Sequence, residues 1–277
     1  MTLLELRKWI PRVGWIAIAL MTGPGSGVAA GLPTSQPKVL TIIREHVKVG
    51  RSGLHSKFEA GYPAALEKAK SPDYYLALVS MTGPSEAWYV TPQESFAAIG
   101  AAIKRDDKDP VLSAEMSRLD LADAENIHAL EVIRLRSRPD LGAGSFPDVG
   151  KARYFAISTY RVKLGQEGLF EQMGKAYAAA LLRVAPKSSY RVYEVLAGMP
   201  GSTYLTFRSA ESYGELDQWG PDGEAQFKQA TPDEMAVFTR LGEAVERLES
   251  NHFRVDPEQS YVPKELRQKD SEFWLSK

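Results

Sequence analysis

The sequence has no cysteine, few histidines and almost no net charge. Without cysteine, its 277 residues cannot form disulfide bonds, thiolate metal ligands or cysteine nucleophiles. There are 34 basic and 35 acidic residues, and the formal charge of -1 argues against strong attraction to nucleic acid. The hydrophobic fraction of 44% is that of an ordinary globular protein. The histidines are His46, His55, His128 and His252.

The sequence also lacks the short motifs that would name a reaction. It contains no GxSxG nucleophile elbow, no P-loop and no GxGxxG dinucleotide-binding loop. The histidine spacings do not match metal motifs such as HExxH, so we expect no metal site. His55 opens a predicted helix and is expected at the solvated surface, whereas His46 is a weak candidate for a base or a ligand.

The first thirty residues have the three parts of a secretory signal peptide. Three basic residues between positions 7 and 12 precede an uncharged apolar run over 13–21, and Val28-Ala29-Ala30 provides small residues before a cleavage point. The run is shorter than the roughly 20 residues of a membrane-spanning helix. We therefore expect a signal peptide over 1–30, export to the periplasm or the extracellular space, and no stable membrane insertion after cleavage. An uncleaved anchor and a helix of the folded domain are the alternatives.

An internal repeat relates two parts of the chain at an offset of 115 positions. Val47 matches Val162 and Gly50 matches Gly165 at this offset. Further matches are Lys48 with Lys163, Gly53 with Gly168, Tyr62 with Tyr177, Tyr75 with Tyr190 and Gly83 with Gly198. One inserted residue then places Trp88 opposite Tyr204. One offset kept across several elements predicts a fold unit that is used twice.

Both copies are predicted to follow the order strand, helix, strand, strand, helix. The first copy has predicted strands over 39–48, 74–81, 86–91 and 130–135, and helical segments over 54–69, 92–104 and 111–127. The second has predicted strands over 153–163, 190–197 and 203–207, and helices over 167–184, 211–217 and 232–249. The first copy ends on a fourth strand, but no fourth strand is evident directly after the last helix of the second copy.

This βαββαβ order is that of the ferredoxin-like fold, in which helices cover one face of the sheet. The other face must also be covered. We predict an α+β protein made of two tandem ferredoxin-like units, over 36–137 and 151–250, which form an intrachain pseudo-dimeric α+β barrel. Residues 138–150 are the expected linker, and 251–277 are expected to dock on the body as a C-terminal tail. Because the facing surfaces are used within one chain, we expect a monomer or a weak homodimer.

A short segment of the second copy resembles a known family. Residues 155–165 end in Tyr160-Arg161-Val162-Lys163 and a glycine two positions later, and the first copy has the related Val47-Lys48-Val49-Gly50. This opening resembles that of NIPSNAP-like proteins in the dimeric α+β barrel superfamily, which also contains antibiotic-biosynthesis-type monooxygenases. The resemblance implies the barrel fold. Residues 155–158 lack the polar pair of the family opening, which favours binding over shared chemistry. Relatives of this fold include proteins in which a single histidine ligates haem, so haem stays open, although no cofactor is predicted.

Strand alternation sorts the first strands of the two copies into two faces. Leu40, Ile42, Phe155 and Ile157 share one face, which we assign to the helices. Thr41, Ile43, Glu45, Ala156, Ser158 and Tyr160 are then expected to point into the barrel.

Four residues form the predicted ligand site inside that barrel. Glu45 and Tyr160 are equivalent under the repeat and are expected to face one cavity, with Trp88 and Tyr204 as aromatic walls. A solvated strand end for Glu45 and a filled aromatic core are the competing interpretations. We expect an exported protein that binds a small apolar or aromatic molecule between the two units. The alternatives are a cofactor-free monooxygenase or isomerase, and a haem-handling protein.

Overall fold

The computed structural model describes residues 32–275 as a closed barrel of eight antiparallel strands. The strands are β1 (Val39–Val47), β2 (Tyr75–Ser80), β3 (Glu86–Gln93), β4 (Ile127–Ser137), β5 (Tyr154–Val162), β6 (Arg191–Ala197), β7 (Thr203–Ala210) and β8 (Val245–Tyr261). Their order around the barrel is β1-β3-β2-β8-β5-β7-β6-β4. The fold is thus the mixed α+β barrel predicted from the sequence, closed within one chain. The predicted signal peptide, 1–30, lies outside the described residues.

Helices cover the outside of the barrel in two groups. The first half contributes α1 (Ser52–Glu59), α2 (Gly61–Lys68), α3 (Phe96–Asp106) and α4 (Pro110–Asp123). The second half contributes α5 (Glu167–Val184), α6 (Trp219–Lys228), α7 (Pro232–Phe238) and α8 (Leu241–Ala244), and the chain continues into α9 (Lys264–Lys269) and α10 (Ser271–Trp274). Local signals start several of these helices. The Asp109 side chain, for example, accepts hydrogen bonds from the first backbone amides of α4, where Pro110 occupies the first turn.

Apolar side chains fill the barrel interior. Ile42, Ile133 and Leu205 are fully buried there, together with Leu40 and Ile157. A cavity of about 90 Å³ lies between core residues such as Leu40 and Phe207 and the loop residues Leu32 and Pro147. The barrel interior is therefore a packed core, so the site expected between the two sheets does not lie there.

The expected orientation of the first strands is wrong, because the two faces are exchanged. Leu40, Ile42 and Ile157 belong to the interior core. Tyr160 instead packs beneath α5 in a second cluster outside the barrel, and Glu45 contacts His55 of α1. Alternation identified which residues share a face but not which face lies inside, since the helices bury the outer face of each strand as well.

Strand pairing also corrects the equivalence of Trp88 and Tyr204. Glu45 of β1 pairs with Ala87, whereas Tyr160 of β5 pairs with Tyr204. If β1 and β5 are matched, Tyr204 therefore corresponds to Ala87 and not to Trp88. Trp88 points into the interior core and Tyr204 lies in the outer cluster of the second half. The two rings consequently do not line one cavity.

The longest strand of the barrel lies where the sequence suggested a helix. Helix α7 ends at Phe238, and after the single turn of α8 the chain enters β8, which covers Val245–Tyr261. The predicted helix over 232–249 is therefore wrong, and a fourth strand does exist in the second half. β8 pairs with β5 on one side and with β2 on the other, so it joins the two halves of the chain. It also continues past the predicted boundary at 250.

The last described residues pack against one end of the barrel. Trp274 of α10 is buried in the interior cluster, and Leu266 and Phe273 pack beside it. The Arg153 guanidinium lies 3.7 Å from the Phe273 ring and pairs with the Asp270 carboxylate. No helix within residues 32–275 combines the length and the apolar character needed to cross a membrane.

Candidate functional site

A cluster of buried ionisable side chains lies between β1 and the helices of the first half. Glu45 projects from the outer face of β1, His55 and Glu59 come from α1, and Asp123 ends α4. One potential ligand atom of each of these four side chains lies within 4.8 Å of the others, and all four residues are buried. His55 Nδ1 lies 2.8 Å from Asp123 Oδ2 and 3.8 Å from Glu45 Oε2.

Hydrogen bonds from residues outside the cluster fix the positions of Asp123 and His55. The Asn126 side-chain amide donates to Asp123 Oδ1 at 2.9 Å. On the other side of the imidazole, the Tyr89 hydroxyl lies 3.3 Å from His55 Nε2 and donates to Gln259 Oε1 at 3.0 Å. Gln259 belongs to β8, so both halves of the chain help to fix the His55 ring.

Burial and mutual repulsion dominate the electrostatics of the cluster. Burial raises the pKa of Glu59 well above its usual value, and the negative charges of Glu45 and Asp123 raise it further. Three carboxylates therefore compete for one imidazole in a site that water hardly reaches. The arrangement can hold protons or a cation.

The sequence analysis missed this cluster for an identifiable reason. His55 was expected at the surface, but it is 2% exposed. His55 and Glu59 are four residues apart on α1, which places both on one face of the helix. This spacing places two potential ligand side chains next to each other and was visible in the sequence. Glu45 is buried here as a member of the cluster, and neither the expected cavity with Tyr160 nor a solvated strand end describes its position.

A cavity of about 330 Å³ lies on the opposite half, between the outer face of the sheet and its helices. Tyr160 of β5 and Arg208 of β7 form part of its floor, and Tyr177 of α5 and Trp219 of α6 form part of its roof. Most of the remaining lining is apolar and comes from Leu141, Phe170, Met173, Leu181, Val192, Phe227, Phe238, Leu241 and Leu248. An apolar space of this size with a few polar groups is typical of a small-molecule site.

The polar groups of this cavity are hydrogen-bond donors at neutral pH. Burial raises the pKa of Tyr160 to about 12 and also raises the pKa values of Tyr177 and Tyr190, so all three phenols stay protonated. Arg208 stacks on the Trp219 ring, with 4.0 Å between its guanidinium carbon and the ring centroid. The cavity thus offers three phenolic hydroxyl groups, the hydroxyls of Ser158 and Thr206 and one cation to a molecule that is otherwise surrounded by apolar groups.

The four predicted site residues consequently lie in three different places. Glu45 belongs to the buried cluster of the first half, whereas Tyr160 lines the cavity of the second half. Trp88 lies in the barrel core, where its indole nitrogen donates to Glu86 Oε2 at 2.8 Å. Tyr204 stacks against Phe170, a residue of the cavity wall, at 4.6 Å between ring centroids. The expectation of one shared cavity is therefore wrong.

The histidines that bear on the haem-binding alternative lie away from the 330 Å³ cavity. His46, the candidate named from the sequence, lies 3.3 Å from Glu86 through Nδ1 and packs against the His128 ring at 5.5 Å. His55 belongs to the buried cluster, and His252 Nδ1 lies 2.9 Å from the Tyr213 hydroxyl. None of these imidazoles is among the described residues that line the 330 Å³ cavity.

Solved structures share this barrel. A Fusobacterium nucleatum protein provisionally named a monooxygenase superposes with a TM-score of 0.53 at 8% identity, covering 80% of this chain and 93% of the other. A Lactobacillus acidophilus protein with the same provisional name gives 0.50 at 8% identity, covering 81% and 95%. A mutant chlorite dismutase from Candidatus Nitrospira defluvii gives 0.50 at 10% identity, covering 85% and 96%.

At these identities the similarity establishes the fold alone, which is that of the dimeric α+β barrel proteins. No protein-family model and no curated protein sequence matches the chain. The resemblance to NIPSNAP-like proteins therefore rests on the short sequence segment that suggested it. Activity has to be argued from the residues of this chain.

Proposed function

We propose that the protein binds a small aromatic molecule with one acidic or strongly polar end in the cavity between β5, β7 and the helices α5 and α6. The observation that carries this proposal is the convergence of Tyr160, Tyr177, Tyr190 and Arg208 on an apolar space of about 330 Å³. The sequence analysis expected a small apolar or aromatic ligand. The proposal narrows this class to aromatic molecules with a polar end and moves the site from the barrel interior to the outer face of the second half.

Size and charge both support this ligand class. Small-molecule sites in proteins have volumes of roughly 300–1,000 Å³, so this cavity suits a molecule of one or two rings. The Arg208 side chain is 19% exposed. It lies 3.8 Å from the Asp222 carboxylate and donates a hydrogen bond to the Ser188 hydroxyl at 3.2 Å. Asp222 is beyond hydrogen-bond distance and Ser188 is neutral, so a ligand carboxylate that reaches Arg208 within hydrogen-bond distance is a stronger partner than either, because it can form a charge-assisted bond through two oxygens.

Binding is better supported than catalysis at this place. The polar groups of the lining are phenols, small hydroxyls and a guanidinium, which donate hydrogen bonds at neutral pH and do not abstract protons. A cofactor-free monooxygenase or isomerase would need a base near the substrate. A cofactor-free oxygenase is the second candidate function. Since the described lining provides no base, its substrate would itself have to be readily oxidised.

The proposal includes the organisation and location of the chain. Each half has four neighbouring strands, in the orders β4-β1-β3-β2 and β8-β5-β7-β6, which supports two tandem ferredoxin-like units and a distant relationship to NIPSNAP-like proteins. We also propose that residues 1–30 are removed on export and that the mature protein is a monomer or a weak dimer. Mass spectrometry of the N-terminus and light scattering of the purified protein test these two points.

Binding is tested with a matched pair of probes, 2-naphthoate and its neutral amide, by isothermal titration calorimetry. We expect the carboxylate to bind more tightly than the amide. Tyr160→Phe should weaken 2-naphthoate binding by roughly 2- to 12-fold, the value of one net hydrogen bond, and Arg208→Gln by roughly 10- to 150-fold, that of a charge-assisted one. Arg161→Gln is the control, because Arg161 also lies on β5 but pairs with Glu246 at the surface.

Two results would contradict the proposal. The first is equal affinity for the acid and the amide in the unmodified protein. The second is an Arg208→Gln variant that folds normally and binds 2-naphthoate as tightly as Arg161→Gln. Native mass spectrometry of the purified protein adds an independent measurement, since a molecule retained from the host should be aromatic and should be lost from Arg208→Gln.

A further inference from the structure

We propose that Glu45, His55, Glu59 and Asp123 bind one divalent transition-metal ion of the Mn²⁺, Fe²⁺ or Zn²⁺ type. The four side chains come from β1, α1 and α4, and all are buried. This site lies on the first half of the chain and is independent of the aromatic cavity on the second half.

The donor set points to this class of metal. It combines one imidazole nitrogen with three carboxylates, and imidazole is a ligand of zinc and iron more than of magnesium or calcium. Calcium takes six to eight oxygen ligands, so all three carboxylates would have to bind through both oxygens, and the imidazole nitrogen would have no role. The presence of His55 distinguishes the cluster from a group of acidic residues that happen to be close together.

The distances within the cluster suit coordination. Ligand atoms that lie about 2.0–2.2 Å from one ion are roughly 3–4 Å from each other. His55 Nδ1 is 2.8 Å from Asp123 Oδ2 and 3.8 Å from Glu45 Oε2. The Glu45 distance is in this range, and the hydrogen-bonded His55–Asp123 pair would need to separate by a few tenths of an ångström to admit an ion between them.

The far side of the imidazole is arranged as it is in metal sites. Metal-bound histidine usually donates its second ring N–H to an oxygen, which fixes the ring. The oxygen near His55 Nε2 belongs to the Tyr89 hydroxyl at 3.3 Å, and that hydroxyl donates its own hydrogen bond to Gln259 Oε1. Tyr89 can accept from Nε2 while donating to Gln259. Nδ1 then faces the carboxylates and hydrogen-bonds to Asp123 at 2.8 Å, and an ion would bind between these two atoms in place of that hydrogen bond. This chain is a second observation, separate from the closeness of the carboxylates.

Charge balance supports an ion in place of protons alone. Even a protonated His55 supplies one positive charge, whereas Glu45, Glu59 and Asp123 supply up to three negative charges in a buried space. A buried carboxylate that is neither paired nor protonated is strongly unfavourable. A divalent ion stabilises the ionised forms of all three carboxylates. Without an ion, some of them would have to be protonated, or they would repel one another.

The test uses the full purified chain, stripped with a chelator and titrated with Mn²⁺ and with Zn²⁺ in separate calorimetry experiments. We expect one equivalent of either ion to bind. Glu59→Gln, which keeps the side-chain shape, should weaken binding by at least the roughly 10- to 100-fold typical of outer-shell changes. His46→Ala is the matched control, because His46 also lies beside two carboxylates, Glu86 and Glu131, but on the other face of β1.

Thermal unfolding separates loss of the site from loss of the fold. Without metal, Glu59→Gln should melt at or above the melting temperature of the unmodified protein, because it removes a repelled carboxylate. With added Zn²⁺, only the unmodified protein and His46→Ala should gain stability. The proposal is overturned if no saturable binding occurs, if Glu59→Gln binds as tightly as the unmodified protein, or if His46→Ala rather than Glu59→Gln abolishes binding.

Discussion

Two adjacent isoleucines on β1 provide a direct test of which face of the sheet forms the core. Ile42 is 0% exposed and packs inside the barrel, whereas Ile43 is 37% exposed on the outer face. Replacing either residue by alanine removes the same three carbon atoms. The two variants therefore differ only in the surroundings of the side chain.

The magnitudes follow from the burial of the two side chains. Three buried carbons contribute about 2.4 kcal/mol of transfer free energy, at ~0.8 kcal/mol for each carbon. A closed core adds a cavity cost, so Ile42→Ala should lower the free energy of unfolding by about 3–4 kcal/mol. Ile43 is partly solvated and leaves no closed cavity, so Ile43→Ala should cost about 1 kcal/mol.

Urea unfolding, followed by circular dichroism, measures both values under identical conditions. Ile42→Ala should shift the transition midpoint about three times as far as Ile43→Ala, with similar slopes. If Ile43→Ala proved as costly as Ile42→Ala, or costlier, the outer face would be the principal core of β1. The assignment of the barrel interior as a packed core would then be refuted.

Three further predictions concern the backbone, acid stability and haem. Gly198 has a φ of +89°, and a Cβ at this position would lie 2.1 Å from the Val132 carbonyl oxygen. Gly198→Ala should therefore lower the free energy of unfolding by more than ~2 kcal/mol in the same urea assay. Gly201→Ala is the control and should lower it far less, because a Cβ there has no atom within 4 Å. Hydrogen bonds from Arg183 lower the pKa of Glu234 from 4.5 to about 2. The ionised carboxylate should therefore stabilise the fold fully above pH 4.5, and this stabilisation should disappear toward pH 2. Glu234→Gln should reduce the pH dependence of the melting temperature between these values, and an unchanged dependence would contradict the assignment. If the 330 Å³ cavity is the ligand site, one equivalent of haemin should produce no Soret shift, because its described lining contains no imidazole; a stoichiometric shift would favour the haem-handling alternative.

The strand pattern of the fold was accessible from the sequence because it is a local property. β-branched residues, turn glycines and the repeat at an offset of 115 positions predicted seven of the eight strands and the closure of the barrel within one chain. The eighth strand was not recognised. The apolar residues Leu241, Val245 and Leu248 continue a helical spacing, but pairing with both β2 and β5 gives this segment an extended conformation.

The sites were harder to predict because the core buries the inner face of the sheet and helices bury much of its outer face as well. Alternation cannot distinguish a face that meets the core from a face that meets helices. Tyr160 was identified as a candidate for ligand binding and does line a cavity, though on the other side of the sheet. The cluster around His55 needed the packing of α1 and α4 onto β1, which no local pattern specifies, although the spacing of His55 and Glu59 was visible.

The closed ring of strands has a consequence for how partners can bind. Every strand of the described barrel has a neighbour on both sides over at least part of its length. Along these paired stretches a partner cannot extend the sheet by adding a strand of its own, and the closure limits edge-to-edge aggregation. Residues 127–133 of β4 and 245–251 of β8 differ, because each stretch pairs with one neighbour only. Elsewhere recognition takes place through side chains on the helical outer layer, which is also where both the aromatic cavity and the buried cluster lie.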